Sequence, residues 1–456
     1  MAIGRELTDD LIAQVLRRLP PRSLATSRGV CRAWRELVDA RQLLRVDLLP
    51  RSVGGIFMNY LALNSPEFFS RPTMGPSISG DLEFIPGFSM VVDHCNGLLL
   101  IAGTSRGHDY VCNPATRGWA WLPPRPTLHM GEEFDQIKCL VYDPNVSPHY
   151  KVFLVPSLAD DQPMSMLDPE MMQSEWPPSP FALQVFSSIT ECWEERSFVL
   201  EGGRLEERSF LSKGGRRVRA ITDMKAYIGE KRSTCSAKMV LISISDAKYR
   251  LIPTPSDVEL GHHDGCLSLG RSEKGVYCAF EHDCHGLRIF LLNESCGQAG
   301  WELKHLVDLT SFARKFHARG DSSQQHKGPW ILQDINYYKY PYDNDNPKEL
   351  VEDNFEWNSD DDNILNTDDM VEGHFQGYTG LLGFHPHKEI VFLNVSLRRA
   401  VAYHWNISKF QDLGNIFPKE YLEVAGHCAQ IDTSFTYTPC WMDDFPESKL
   451  EAPIEN

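Results

Sequence analysis

Two short stretches hold side chains of the types that bind metal. Cys278, His282, Cys284 and His285 fall within eight residues, and His262, His263 and Cys266 precede them. Thiolate and imidazole are the ligands zinc takes, but closed zinc sites space them as Cys-x-x-Cys or His-x3-His steps. Neither stretch follows that spacing. Serine, histidine and aspartate are plentiful, yet no Gly-x-Ser-x-Gly elbow presents a nucleophile. No glycine-rich loop follows a strand to cradle phosphate. The sequence therefore assigns no catalytic residue, no cofactor and no metal ligand, and it reads as a non-enzyme that works by binding.

The chemistry that remains is burial of apolar surface, and it concentrates near the start of the chain. Thr8 stands where a helix N-cap is expected, with Asp9 and Asp10 in the first turn, where the helix dipole favours negative charge. Leu11, Ile12, Val15, Leu16 and Leu19 recur at helical spacing on one side. Pro20-Pro21 stops that helix, a second short helix can start at Ser23 beside Leu24, and a third runs through Cys31, Trp34, Leu37 and Val38. About forty residues cannot bury much of a core alone. Such a module leaves apolar surface for a partner to cover.

This stretch resembles an F-box. The features, in order, are Leu7, the acidic pair Asp9-Asp10, the pair Leu11-Ile12, Leu16-Arg17-Arg18-Leu19-Pro20, and Val30-Cys31-Arg32-Ala33-Trp34. One departure is Leu7-Thr8, where the family usually has Leu-Pro. The resemblance implies docking on the Skp-type adaptor of a cullin-based ubiquitin ligase. It assigns that contact to Leu7, Leu11, Ile12, Val15, Leu16, Leu19, Pro20, Leu24, Val30, Cys31 and Trp34.

Composition excludes several partner classes. The chain has 456 residues and a formal net charge of -17, which argues against binding nucleic acid or an anionic membrane non-specifically. Residues 1–50 run against that trend, with nine Arg against six Asp or Glu. No apolar run approaches the roughly 18 residues of a membrane span, and the first residues lack the apolar core of a secretory signal. The twelve cysteines are scattered and read as reduced thiols, as expected in the nucleus or the cytoplasm.

From about residue 52 the helical spacing gives way to short apolar runs between turn residues. Leu98–Ile101, Val152–Val155, Met239–Ile242, Ile289–Leu292 and Ile390–Leu393 are examples, and Asn96-Gly97 is a hairpin turn dipeptide. A weak repeat joins them: a strand, a polar turn, then an aromatic residue. Val111–Asn113 leads to Trp119, Val185–Ser187 to Trp193, Ile242–Ser245 to Tyr249, Phe290–Asn293 to Trp301, and Phe392–Val395 to Tyr403 and Trp405. A repeat near 50 residues fits four-stranded propeller blades; a double sandwich is the alternative.

Cys112–Arg117 with Leu122-Pro123, preceded by Asp93–Leu99, is similar to the first blade of plant F-box-associated, Kelch-like domains. Leu269–Tyr277 and Asn293–Gly297 are similar to stretches of the grass-type members. The chain departs from the family near residue 235, where one strand is expected to be missing and a blade to be short or badly closed. Residues 343–372 hold twelve acidic residues and one lysine. Such a segment buries too little apolar surface to offset its ordering entropy, and it reads as a flexible acidic insertion.

The expected architecture is α+β and multidomain: a small three-helix F-box over 1–45, a connector with the first strands over 46–90, an all-β propeller-like domain over 91–440, and a tail over 441–456. The expected function is substrate recognition for an SCF-type ligase, with an unidentified substrate protein as the second partner. The rival reading is a Kelch-like propeller that binds a ligand or carbohydrate, or a scaffold outside ubiquitination.

Overall fold

The computed structural model describes residues 8–19, 23–24, 27, 30–41, 43, 53–71, 78–103, 108–126, 134–144, 146–158, 177–201, 218–222, 225–229, 238–255, 266–272, 274–282, 286–293, 300–310, 312, 328–339, 364–366 and 378–441. In the N-terminal module these include two helices, α1 (Asp9–Leu16) and α2 (Arg32–Ala40). The expected middle helix is described only at Ser23, Leu24 and Ser27. Thr8 occupies the N-cap with extended backbone, and its carbonyl accepts from the Leu11 and Ile12 N–H groups, but its hydroxyl makes no cap bond. The helix ends before the prolines. Arg18 and Leu19 donate three residues back, to Val15 and Leu16, so the last turn tightens to 3-10 geometry.

Everything from residue 53 onward is strand-rich. The strands are β1 (Gly55–Tyr60), β2 (Glu67–Ser70), β3 (Phe88–Cys95), β4 (Leu98–Gly103), β5 (Asp109–Asn113), β6 (Gly118–Leu122), β7 (Phe134–Val141), β8 (Lys151–Leu158), β9 (Phe181–Ser187) and β10 (Cys192–Leu200). They continue with β11 (Val218–Thr222), β12 (Lys225–Gly229), β13 (Lys238–Ser243), β14 (Lys248–Pro253), β15 (Cys266–Ser272), β16 (Gly275–His282), β17 (Gly286–Asn293) and β18 (Gly300–Asp308). The last are β19 (Ile331–Leu332), β20 (Ile364–Asn366), β21 (Thr379–Phe384), β22 (Ile390–Val395), β23 (Arg399–His404), β24 (Lys409–Asn415) and β25 (Ile431–Tyr437). Two helical turns, α3 (Ile335–Lys339) and α4 (Tyr421–Ala425), sit in the connections.

Among the described residues the strands form five hydrogen-bonded sheets of a β-propeller. The eight-stranded sheet is two four-stranded antiparallel units, β7–β10 and β11–β14, joined only where Val199 and Leu200 run parallel to Lys248 and Tyr249. Counted as four-stranded units, the ring has six blades. Six apolar cores lie between successive blades and close it. Strands buried on both faces explain the continuous apolar runs of the sequence: every residue of β1, β5 and β22 is buried.

The expected gap near residue 235 falls at residues 230–237, outside the described residues. β11, β12, β13 and β14 make a complete four-stranded unit, with Lys225–Gly229 of β12 paired along β13. The repeat of aromatics is real but shifted in one blade. Trp119, Trp193, Tyr249 and Trp301 are each the second residue of the fourth strand of a blade, and in the next blade that place belongs to Phe410 of β24. Tyr403 lies one strand earlier, on β23, because Phe392–Val395 is the second strand of its blade and not the third.

The ring is closed by joining both ends of the domain. β25 pairs with β1, and β1 with β2, so the first strands expected within residues 46–90 pair with the last strand of the propeller. Asn59 of β1 donates to the Thr433 hydroxyl at 2.6 Å and to the Val91 carbonyl at 2.7 Å. Beyond β25 the chain straps over the first two blades, where Asn113 donates to the Cys440 carbonyl and Cys440 is buried. Gly97, at φ +88°, lets this strap pass; a Cβ there would stand 2.4 Å from that of Cys440. Of the acidic insertion, the described part is β20, which pairs with β24 and is therefore ordinary strand.

Candidate functional site

The N-terminal module divides its apolar residues between an interior and a surface. Ala13 and Leu16 of α1, Leu24, Val38 of α2 and Leu43 form its buried core. Ile12, Leu19, Trp34 and Leu37 are half-buried against it. Leu11 and Val15 point away, at 47% and 59% exposure, and Val30 is 65% exposed. Leu11 and Val15 are four residues apart and so share one flank of α1. Cys31 is also exposed.

Polar contacts hold the frame without covering that flank. Arg41 of the segment after α2 donates to Asp10 at the start of α1, 2.6 Å away, and ties the two helices. Arg32 and Glu36 pair within α2 at 2.9 Å. Both pairs are solvent-exposed, a class worth about 0–1 kcal/mol each. The Ser27 hydroxyl donates to the Ser23 carbonyl at 2.7 Å, one helical turn back.

The eleven residues singled out by resemblance thus fall into distinct groups. Leu11, Val15, Val30 and Cys31 are exposed; Ile12, Leu19 and Trp34 are half-buried; Leu16 and Leu24 are interior. Leu7 and Pro20 lie outside the described residues. Of the interior partners, Val38 is read on the apolar side of the third helix, while Ala13 and Leu43 are not singled out, although Ala13 precedes Leu16 by three residues.

Of the metal-type residues, only Cys278 has a described side chain. Cys278 is buried in an interblade core, where burial pushes its thiol well above the ordinary range. The side chains of His282, Cys284, His285, His262, His263 and Cys266 lie outside the described residues. Among the described residues no three His, Cys, Asp or Glu gather as metal ligands. No helix among them is long and apolar enough to cross a membrane.

Residues 5–45 match the F-box domain family. A putative F-box/kelch-repeat protein of Arabidopsis thaliana is 21% identical over 330 residues, covering 68% of this chain and 75% of the relative. An F-box protein of the same plant is 28% identical over 156 residues, 31% of this chain and only 38% of that relative's length. Among solved structures, YCF48 from Cyanidioschyzon merolae aligns over 80% of this chain and 86% of its own at 10% identity, with a TM-score of 0.36, too slight a likeness to carry anything over. The chain carries an F-box domain at its N-terminus, followed by a β-propeller.

Proposed function

We propose that this protein is a substrate receptor of an SCF-type, cullin-based ubiquitin ligase. The F-box docks on a Skp-type adaptor and the propeller holds the substrate protein. The observation that carries the reading is the F-box match over residues 5–45, on a module that leaves Leu11, Val15 and Val30 exposed. A module of this size cannot leave such residues in water at no cost, and a partner helix in that position would bury them. The protein itself transfers no group. It raises the local concentration of a substrate lysine near a ubiquitin-charged enzyme, and proximity supplies the rate.

The test is reconstitution of the full chain with a purified Skp-type adaptor and cullin. Co-elution with the adaptor at equal stoichiometry is expected. Affinity purification with and without a proteasome inhibitor then shows which proteins accumulate on the receptor when degradation is blocked. A folded protein that never co-elutes with an adaptor would rule the reading out.

A further inference from the structure

Three large apolar side chains stand exposed at one end of the ring: Leu61 at 39%, Tyr378 at 41% and Leu422 at 52%. Leu61 follows β1, Tyr378 precedes β21, and Leu422 lies on α4. One hydrogen-bonded frame gathers them around Gln430. The Leu61 N–H donates to the Gln430 carbonyl at 3.0 Å. The hydroxyl of Tyr421, the buried neighbour of Leu422, lies 2.9 Å from the Leu61 carbonyl and accepts from the Gln430 N–H at 3.1 Å. β21 and β25 run side by side: the Ser434 hydroxyl donates to the Leu382 carbonyl and the Thr436 hydroxyl to that of Phe384, both across 52 residues. The same offset carries Tyr378 to Gln430. Burial raises the Tyr378 pKa, and the nearby Tyr421 phenol adds to the rise.

The two segments that present the leucines are strained. Ala62, after Leu61, has φ +67°, and Glu420, before α4, has φ +58°. Residues other than glycine seldom take the left-handed region, and such strain clusters at working surfaces. The surroundings are acidic. Glu420, Glu423 and Asp432 are exposed on the same segments. Of the cations beside them, Lys419 is held by Asp334 at 3.3 Å and Arg398 lies over the Phe417 ring at 4.9 Å. An apolar patch on a rigid frame loses little freedom when it is covered, and an acidic rim is complementary to a basic partner.

From this we infer that this end of the ring docks a partner segment that has an aliphatic or aromatic anchor flanked by lysine or arginine. The anchor is covered by Leu61, Tyr378 and Leu422, and the flanking cations meet Glu420, Glu423 and Asp432. The patch lies at the far end of β1 from Val53 and Gly54, through which the N-terminal module joins the propeller. The six residues of β1 put about 20 Å between the two points. Calling the docked partner the substrate rests on the receptor reading; the docking itself does not.

The probe is a fluorescent synthetic peptide with a central Leu-Tyr-Leu between two Lys-Arg pairs, titrated against the full-length protein and followed by polarisation. Two control peptides keep its length, one with Asp-Glu in place of each Lys-Arg, the other with Gly-Ser-Gly at the centre. The probe is expected to bind with a dissociation constant below about 1 mM, and both controls at least about tenfold more weakly. Leu61→Asp combined with Leu422→Asp should weaken probe binding at least about tenfold, and both positions are exposed, so the fold should hold. Glu423→Lys combined with Asp432→Lys leaves the apolar patch intact and should weaken it at least about threefold. This second variant decides the matter if the first does not fold. No binding of the probe up to about 1 mM, unchanged affinity in either folded variant, or equal binding of the Gly-Ser-Gly control would each overturn the inference. Adaptor affinity is measured on the same proteins. A chain that binds the probe at this patch but binds no adaptor supports the inference and overturns the receptor reading alone.

Discussion

At the residue scale, Leu16 and its neighbours Leu11 and Val15 do different work although the sequence treats them alike. Leu16 is 1% exposed, so Leu16→Ala removes packing inside a five-residue core and is expected to cost about 2–5 kcal/mol. That exceeds what so small a module can lose, and the helical signal of the F-box should disappear from circular dichroism. Glu67 of β2 gives a second prediction. It is fully buried, and it accepts from the Ile335 and Asn336 N–H groups and the Asn336 amide at 2.7–2.9 Å. Burial outweighs these bonds and raises its pKa from 4.5 to about 7. The folded state therefore keeps a proton that the unfolded chain has lost. This contribution is complete below about pH 4.5 and is lost as pH rises to about 7, a swing of up to about 3 kcal/mol. His385 works against it. Burial lowers the pKa of His385 to about 3, and its Nδ1 accepts from the His387 and Lys388 N–H groups. Between about pH 3 and the ordinary imidazole range the unfolded chain takes up a proton that the folded state does not, so acid favours unfolding at this residue. The difference between wild type and Glu67→Gln isolates Glu67: between pH 4.5 and 7 the wild type should lose stability relative to the variant in denaturant titrations. Parallel stability curves would show that Glu67 does not change protonation on unfolding.

At the element scale, the Asn96-Gly97 turn shows how a local rule serves a distant contact. Both residues have positive φ, 45° and 88°, as a two-residue hairpin of this type requires. The dipeptide is legible in the sequence; its second duty, letting Cys440 pass, is not, because the strap comes from the far end of the chain. Gly97→Ala should cost about 1–3 kcal/mol from backbone strain alone, with the Cys440 contact adding to it. The check is the propeller's thermal transition, and an unchanged midpoint would mean that the strap lifts freely. The same contrast runs through the fold. Strands sandwiched between blades announced themselves as apolar runs, and four of five outer-strand aromatics were legible as a repeat. Phe410 was not, because Tyr403 and Trp405 offer nearer aromatics. First strands were expected within residues 46–90, but their place in the ring was not legible, because β25, the partner of β1, lies more than 370 residues away and no local pattern encodes such pairing. In α1 the periodicity showed the apolar stripe, but Leu11 and Val15 are as apolar as Ile12 and Leu16, and only the packing of Leu24, Val38 and Leu43 decides which half turns inward.

At the scale of the whole molecule, two modules of opposite character share one chain. The first fifty residues carry a net positive charge and the rest a large net negative one, and the change of period from helix to strand falls in the same region. The proposed division of labour rests on the exposed flank of α1 as the adaptor surface. The direct measurement is the affinity of the full-length protein for a Skp-type adaptor, by calorimetry, with Leu11→Asp and Val15→Asp combined. Both positions are exposed, so the unfolding profile should stay within about 0.5 kcal/mol of wild type. Each lost anchor typically costs 2 kcal/mol or more at an interface centre, so adaptor binding should weaken by about a thousandfold. Adaptor binding at wild-type affinity by the folded double variant would contradict the assignment of this face.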